Sequence, residues 1–271
     1  MPPLRFAFWI TGLAGFALLG GVLAGSSPPL GWLCCALLLH GGLGTLGVTF
    51  PALGIWCDAV CRGRPGGRRV ALTFDDGPHP ETTRRVLELL ARHEKRATFF
   101  VLGSKVRKHP ELVREIVAAG HGVALHGDEH GRFYMLWSAR RVRDDVGRAA
   151  RALWDAAGVR TDLFRPPVGF MSGGIALAAE AEGLRLIACS ARGLDGRAGA
   201  KPDKVLRRAL AGLEDGALLL LHDAAEHGDR TPACLPVLPA LFDAIDRKGL
   251  ETVLVSELLA APELPARTRR E

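Results

Sequence analysis

Apolar and polar positions divide this chain of 271 residues into two unlike parts. Residues 6–57 contain no Asp, Glu, Lys or Arg, whereas all 29 acidic residues, and every basic residue but Arg5, lie from Asp58 onward. Within the uncharged part, residues 6–24 and 30–50 each approach the roughly 20 apolar positions a helix needs to cross a hydrocarbon core. The pattern predicts two transmembrane helices joined by Gly25-Ser26-Ser27-Pro28-Pro29. Arg5 before an apolar run, with small residues around Ala24, also fits a cleaved signal peptide, which stays an alternative for the first segment.

Past the basic stretch Arg62-Gly63-Arg64-Pro65-Gly66-Gly67 the pattern changes to short apolar runs separated by longer amphipathic ones. The runs predict seven strands, at 70–74, 97–101, 122–126, 163–165, 185–189, 217–222 and 251–255. Helices are expected between them at 82–93, 110–119, 138–157, 174–182, 202–213 and 232–248; in the third of these Val142, Val146 and Leu153 recur at helical spacing. Strands alternating with helices pair in parallel, so the fold class is α/β. Periodicity leaves open whether the sheet closes into an incomplete barrel or stays an open doubly wound sheet. Both place an active site at the carboxyl ends of the strands.

Charge and cysteines change this picture little. The formal net charge of +6 comes from arginines scattered along the expected helices, without an aromatic-rich motif, so no nucleic-acid partner is expected. The six cysteines show no zinc-finger spacing. Arginines 62, 64, 68 and 69 follow the second apolar segment, which the positive-inside rule reads as a cytoplasmic catalytic part, although large domains translocate regardless of flanking charge. The side of the membrane is therefore not legible from the chain.

The unusual polar residues fall where strands end. The first strand runs into Asp75-Asp76-Gly77-Pro78, two adjacent carboxylates that repel unless a cation or proton relieves them. The third ends in His126-Gly127-Asp128-Glu129-His130, two imidazoles spaced to bind one ion; with a carboxylate they make the open three-ligand site of a catalytic metal. His121, at the other end of that strand, reads as structural. The fourth ends in Arg165-Pro166-Pro167-Val168-Gly169, where a buried guanidinium needs an acidic partner and Asp75 is the natural candidate. The sixth ends in Leu220-Leu221-His222, and Asp195, after the fifth, is placed to orient His222.

Taken in order, Thr73-Phe74-Asp75-Asp76-Gly77, His126-x3-His130, Arg165-Pro166-Pro167-x-Gly169 and Leu220-x-His222 resemble the motif series of the polysaccharide deacetylases, the NodB-like carbohydrate esterases of family four. The resemblance covers about residues 69–259. It implies an irregular (β/α)7 barrel, which joined to the two transmembrane helices read from composition gives boundaries at 1–57 for the anchor, 58–68 for a basic linker, 69–260 for the catalytic domain and 261–271 for a disordered tail. It also implies roles. Asp76, His126 and His130 would hold a divalent metal, usually zinc; Asp75 would be the base, tethered by Arg165; His222 would be the acid, supported by Asp195. Leu220, with Pro166 and Gly169, would bind substrate. Two positions depart from the family: Asp195 is followed by Gly196-Arg197 where a tryptophan is usual, leaving one pocket wall undefined, and His126 is followed by Gly127 where Ser or Thr is usual.

The expected function is hydrolysis of N-acetyl or N-acyl groups from the amino sugars of a polysaccharide or glycoconjugate. The alternatives are a deacylase of a lipid-linked sugar and a non-catalytic saccharide-binding protein on the same fold. The expected partners are an N-acetylated saccharide and the membrane. Loops 131–137 and 224–230 are expected to shape selectivity.

Overall fold

The computed structural model describes residues 2–26, 29–225 and 231–260. The chain opens with two long apolar helices, α1 (Pro3–Leu23) and α2 (Leu30–Thr49), packed as a hairpin. Most of their surface is free of protein contact, with Phe16, Leu23 and Leu38 among the exposed side chains. Their ends nearest the rest of the protein are tied down. Arg5 donates to the Gly54 carbonyl at 2.7 Å and pairs with Asp58 at 2.7 Å, Phe8 meets Trp56 edge-on, and the Met171 amide donates to the Val48 carbonyl at 3.2 Å.

The remainder is a curled parallel sheet with helices outside it. Its strands are β1 (Arg69–Asp75), β2 (Ala97–Val101), β3 (Gly122–Leu125), β4 (Leu163–Phe164), β5 (Arg185–Leu186), β6 (Ala191–Arg192), β7 (Leu218–His222) and β8 (Glu251–Thr252). The helices are α3 (Thr82–Arg92), α4 (Gly103–Lys108), α5 (Pro110–Ala118), α6 (Ala139–Ala157), α7 (Gly173–Ala181), α8 (Pro202–Ala211), α9 (Leu238–Arg247) and α10 (Val255–Leu259). The strand order is β5-β4-β3-β2-β1-β7-β6, with β8 against the start of β1.

There are eight strands where the sequence predicts seven, because the fifth is split. Its first part, β5, bonds to β4, and its continuation, β6, bonds to β7, so one interrupted stretch links both ends of the sheet. The expected helix at 232–248 begins instead as a 3-10 turn, Leu235–Val237, before α9, because Pro236 and Pro239 remove backbone donors there. The short helices α4 and α10 carry too few turns to show a hydrophobic period and were not expected. The region expected to be a linker also contributes to the sheet: Val60 bridges Ile187 in parallel, and Arg62 bridges Ala217 antiparallel. The expected disordered tail, 261–271, lies outside the described residues.

Alternation along the strands sorts side chains into two cores. Val70, Leu72 and Phe74 of β1, with Phe99 and Val101 of β2, face the helices. Ala71, Phe100, Ala124, Leu163 and Leu218 face inward and fill the barrel. Burial on both faces explains why these strands read as unbroken apolar runs. The same alternation carries the inward rows upward: 71 to Thr73 and Asp75, 124 to His126, 163 to Arg165, and 218 to Leu220 and His222. Asp75, His126, Arg165 and His222 thus stand at the top of the interior rows.

Candidate metal centre and active site

Asp76, His126 and His130 converge. Their potential ligand atoms all lie within 4.8 Å of one another, and the His126 and His130 Nε2 atoms stand 3.3 and 3.6 Å from Asp76 Oδ1. The donor set fits a divalent cation for a reason visible in the hydrogen bonds. His126 Nδ1 lies 2.8 Å from the Arg165 carbonyl, which can only accept, so the proton sits on Nδ1. That leaves the Nε2 lone pair facing Asp76 Oδ1, which is buried and accepts no hydrogen bond from the described residues. Two acceptors aimed at one point need positive charge between them, and a neutral imidazole oriented through its other nitrogen is the usual form of a metal-binding histidine. Burial works against the Asp76 charge, and positive charge on the imidazoles around it, where they are protonated, holds its carboxyl well below the usual carboxylate range.

Asp75 and His222 flank this centre. Asp75 Oδ1 accepts from Arg165 at 2.6 Å. The guanidinium is fully buried and fixed all round: it donates to Thr73 Oγ1 at 2.8 Å and to the Ala188 carbonyl at 3.0 Å, and it lies over the Phe100 ring. Thr73 Oγ1 in turn donates to the Leu219 carbonyl. On the other side Asp195 grips His222 twice, Oδ1 at 3.0 Å from Nδ1 and Oδ2 accepting the His222 amide at 2.9 Å. The His222 Nε2 faces Asp76 Oδ2 at 4.0 Å. Burial lowers the proton affinity of His222, but the Asp195 charge and hydrogen bond, with Asp76 and Asp75 beyond, push it up to about 10. The Asp195 carboxylate thus favours the protonated form of His222.

These groups share a cavity of about 480 Å³, the size of a small-ligand site. Asp75, Asp76, His126, His130, Arg165, Gly169, Leu220 and His222 line it, whereas Pro166 does not and Asp195 stands behind His222. Three of the five non-glycine residues with positive φ, Asp76, Val168 and Leu194, are on its wall, backbone strain of the kind that collects at functional sites. A separate cavity of about 540 Å³ opens at the other end of the barrel beside His121, whose pKa is lowered to about 4 by burial and by Arg96. No group of three metal-ligating side chains lies there among the described residues.

Sequence reasoning did not find the shell behind the ligands. Asp145, buried on α6, accepts the Asp128 amide at 2.8 Å and the Tyr134 hydroxyl at 3.0 Å, and Asp128 accepts from Arg107 and Arg148, so the loop from His126 to His130 is pinned from outside. Asp223, next to His222 and fully buried, accepts from Thr83, and burial raises its pKa to about 7. The Lys105 ammonium donates to the Asp76 carbonyl at 2.7 Å. None belongs to a recognisable spacing; each is apposed only by the folded barrel.

A polysaccharide deacetylase family model matches residues 62–187. A chitooligosaccharide deacetylase of Bradyrhizobium sp. is 35% identical over 197 residues, 69% of this chain and 88% of that relative. The chain belongs to the polysaccharide deacetylase family. A second relative, the peptidoglycan-N-acetylglucosamine deacetylase PgdA of Listeria monocytogenes, is 35% identical over 191 residues, but the match spans only 39% of that protein. Among solved structures, the peptidoglycan deacetylase PdaC of Bacillus subtilis is 27% identical with a TM-score of 0.62, covering 72% of this chain and 91% of that one. A pseudoenzyme of carbohydrate esterase family four from Bacillus anthracis is 25% identical with a TM-score of 0.67, covering 77% and 71%. The polysaccharide deacetylase fold therefore occurs both with and without activity, and the site itself has to decide.

Proposed function

We propose that this chain is a membrane-anchored, zinc-dependent hydrolase that removes N-acetyl groups from amino sugars. The observation that carries the reading is the convergence of Asp76, His126 and His130 on one point, with the Asp75–Arg165 pair and the His222–Asp195 pair around the same cavity. Retention of all these groups together argues against a binding protein that has lost the reaction. Membership of the family, with relatives named as deacetylases of chitooligosaccharides and peptidoglycan, supports the amide of an N-acetylated sugar as the bond cleaved.

An amide is a poor electrophile with a poor leaving group, so its hydrolysis needs a nucleophile, oxyanion stabilisation and a proton for the amine. Asp76, His126 and His130 would hold a zinc ion, which would supply Lewis-acid polarisation and lower the pKa of water towards about 7. Asp75 takes the proton of the attacking water, and Arg165 fixes the carboxylate against rotation. His222, protonated and held by Asp195, delivers the proton that the departing nitrogen requires. Leu220 and Gly169 contact the acyl end of the substrate.

The two apolar helices serve as the anchor. The contacts of Arg5 with Gly54 and Asp58, and of Phe8 with Trp56, support retention of the first helix rather than its removal as a signal. They also support a start of α1 and an end of α2 that lie on the catalytic side. With Arg5 there and no charge in residues 24–29, the arrangement favours the cytoplasmic face.

Replacing Asp75 by Asn tests the assignment. The variant is expected to bind zinc in a stoichiometric ratio, yet to hydrolyse an N-acetylated chitooligosaccharide at least about a hundredfold more slowly, within the range general base catalysis contributes. Near-normal turnover with full zinc content would refute the role of Asp75 as base.

A further inference from the structure

We infer that the substrate is an amino sugar carried on a lipid phosphate, and that Arg192 and Arg197 bind the phosphate. The inference rests on the deacetylase reading above and names the substrate class for the same site.

Three features of the cavity point there. The first is its wall. Thr49, the last residue of α2, and Pro51, just beyond it, line the cavity together with Asp75, His126 and His222. A helix of 20 residues rises about 30 Å, the thickness of a hydrocarbon core, so the residue that ends it stands at the membrane surface. The catalytic cavity is thereby held at the level of lipid headgroups, in the path of a substrate that is itself embedded.

The second is charge. The position where the family usually has a tryptophan is taken by Gly196, and a Cβ there would lie 3.1 Å from the His222 ring, a tight contact, so this wall carries no aromatic side chain at that position. Arg192 and Arg197, both exposed, lie on this wall, and neither guanidinium has a hydrogen-bond or ion-pair partner among the described residues. Two exposed guanidiniums on the wall of one cavity offer positive charge to an anionic group of the substrate. Guanidinium matches a phosphate in geometry and charge. A neutral oligosaccharide offers these arginines no counter-charge.

The third is the rim. Val168, on the cavity wall, is 42% exposed at positive φ, Phe50 follows α2 directly, and Phe133 and Leu136, in the loop after His130, are 62% and 75% exposed. Apolar side chains standing free beside a site at the end of a membrane helix fit a surface that dips into the interface.

The experiment uses the full chain in phosphatidylcholine vesicles with three probes: N-acetylglucosamine joined to a polyprenyl phosphate, N-acetylglucosamine 1-phosphate in solution, and chitotetraose. The polyprenyl-phosphate sugar is expected to show kcat/KM at least about tenfold above both others, the scale of one added charge-assisted contact. In R192Q/R197Q the loss on that probe is expected to appear in KM, to exceed the loss on chitotetraose by at least about tenfold, and to shrink at high salt. Equal or better turnover of chitotetraose, or equal losses on all probes, overturns the inference while leaving the deacetylase reading intact, since hydrolysis that depends on Asp75 is still seen. Equal rates on the soluble and the lipid phosphate overturn the lipid carrier. No hydrolysis of any probe overturns both readings.

Discussion

His222 is the residue whose environment most directly sets a measurable property. Its proton is held to about pH 10 chiefly because Asp195 faces Nδ1 at 3.0 Å, against the opposing effect of burial. In the proposed role of protonating the leaving amine, it is competent below that value and fails as the pH rises through it. Replacing Asp195 by Asn removes the charge and keeps the shape, so the alkaline limb of kcat/KM is expected to move down towards the ordinary histidine value of roughly 6.5. A pH–rate profile with an unmoved alkaline limb would show that Asp195 does not govern the acid. At this scale the sequence is unusually informative, because Asp75, His126, Arg165 and His222 occupy the ends of inward-facing rows, where period-two alternation carries them. Arg192 and Arg197 were hidden for the opposite reason. A surface arginine has no pattern, and only the cavity shows that these two share a wall with Asp76, His126 and His130.

At the scale of elements, what the chain shows in advance is periodicity, and it is clearest where elements are long. The observed α6 differs from its predicted range by one residue, because buried Val142, Val146, Ala149 and Leu153 keep to one face. Strands β5 and β6, with two residues each, are too short to show any period, so their division was invisible. Invisible too was the use of α6 as a brace. Asp145 lies on its buried face, and a side chain at Gly127, where φ is +84°, would put a Cβ 2.9 Å from Asp145 Oδ2. This accounts for the glycine where the family usually has Ser or Thr: the carboxylate from α6 fills that space and receives the hydrogen bonds of the loop. Asp145→Ala is expected to weaken zinc binding by about 10- to 100-fold, the usual effect of losing a group that orients metal ligands. Asp145→Asn, which keeps an acceptor, is expected to recover part of that loss. Zinc titration of the two variants measures the difference, and affinities equal to that of the unaltered protein would show that α6 does not brace the loop.

For the whole molecule the question is where the barrel begins. Composition places a boundary near Arg69, because the stretch before it is basic, rich in glycine and without apolar rhythm. Yet the Val60 amide donates to the Leu186 carbonyl, the Ala188 amide to the Val60 carbonyl, and the Gly63 amide to the Gly216 carbonyl, each at 2.8 Å. The first two fall where the interrupted fifth stretch leaves backbone groups without a neighbouring strand, and the third lies just before β7, so the segment works as a partial stave. No sequence rule reveals it, since its partners lie more than a hundred residues away. Two truncated forms distinguish a linker from a stave: one starting at Asp58, the other at Arg69. Three backbone hydrogen bonds at roughly 1 kcal/mol each amount to about 3 kcal/mol. For a domain of this size that corresponds to a Tm lower by roughly 6–12 °C in the shorter form. The shorter form also leaves the carbonyl and amide groups of residues 186–188 as an open edge, so it is expected to aggregate more readily. Equal melting temperatures in thermal unfolding would mean that residues 58–68 only connect the anchor to a barrel already complete without them.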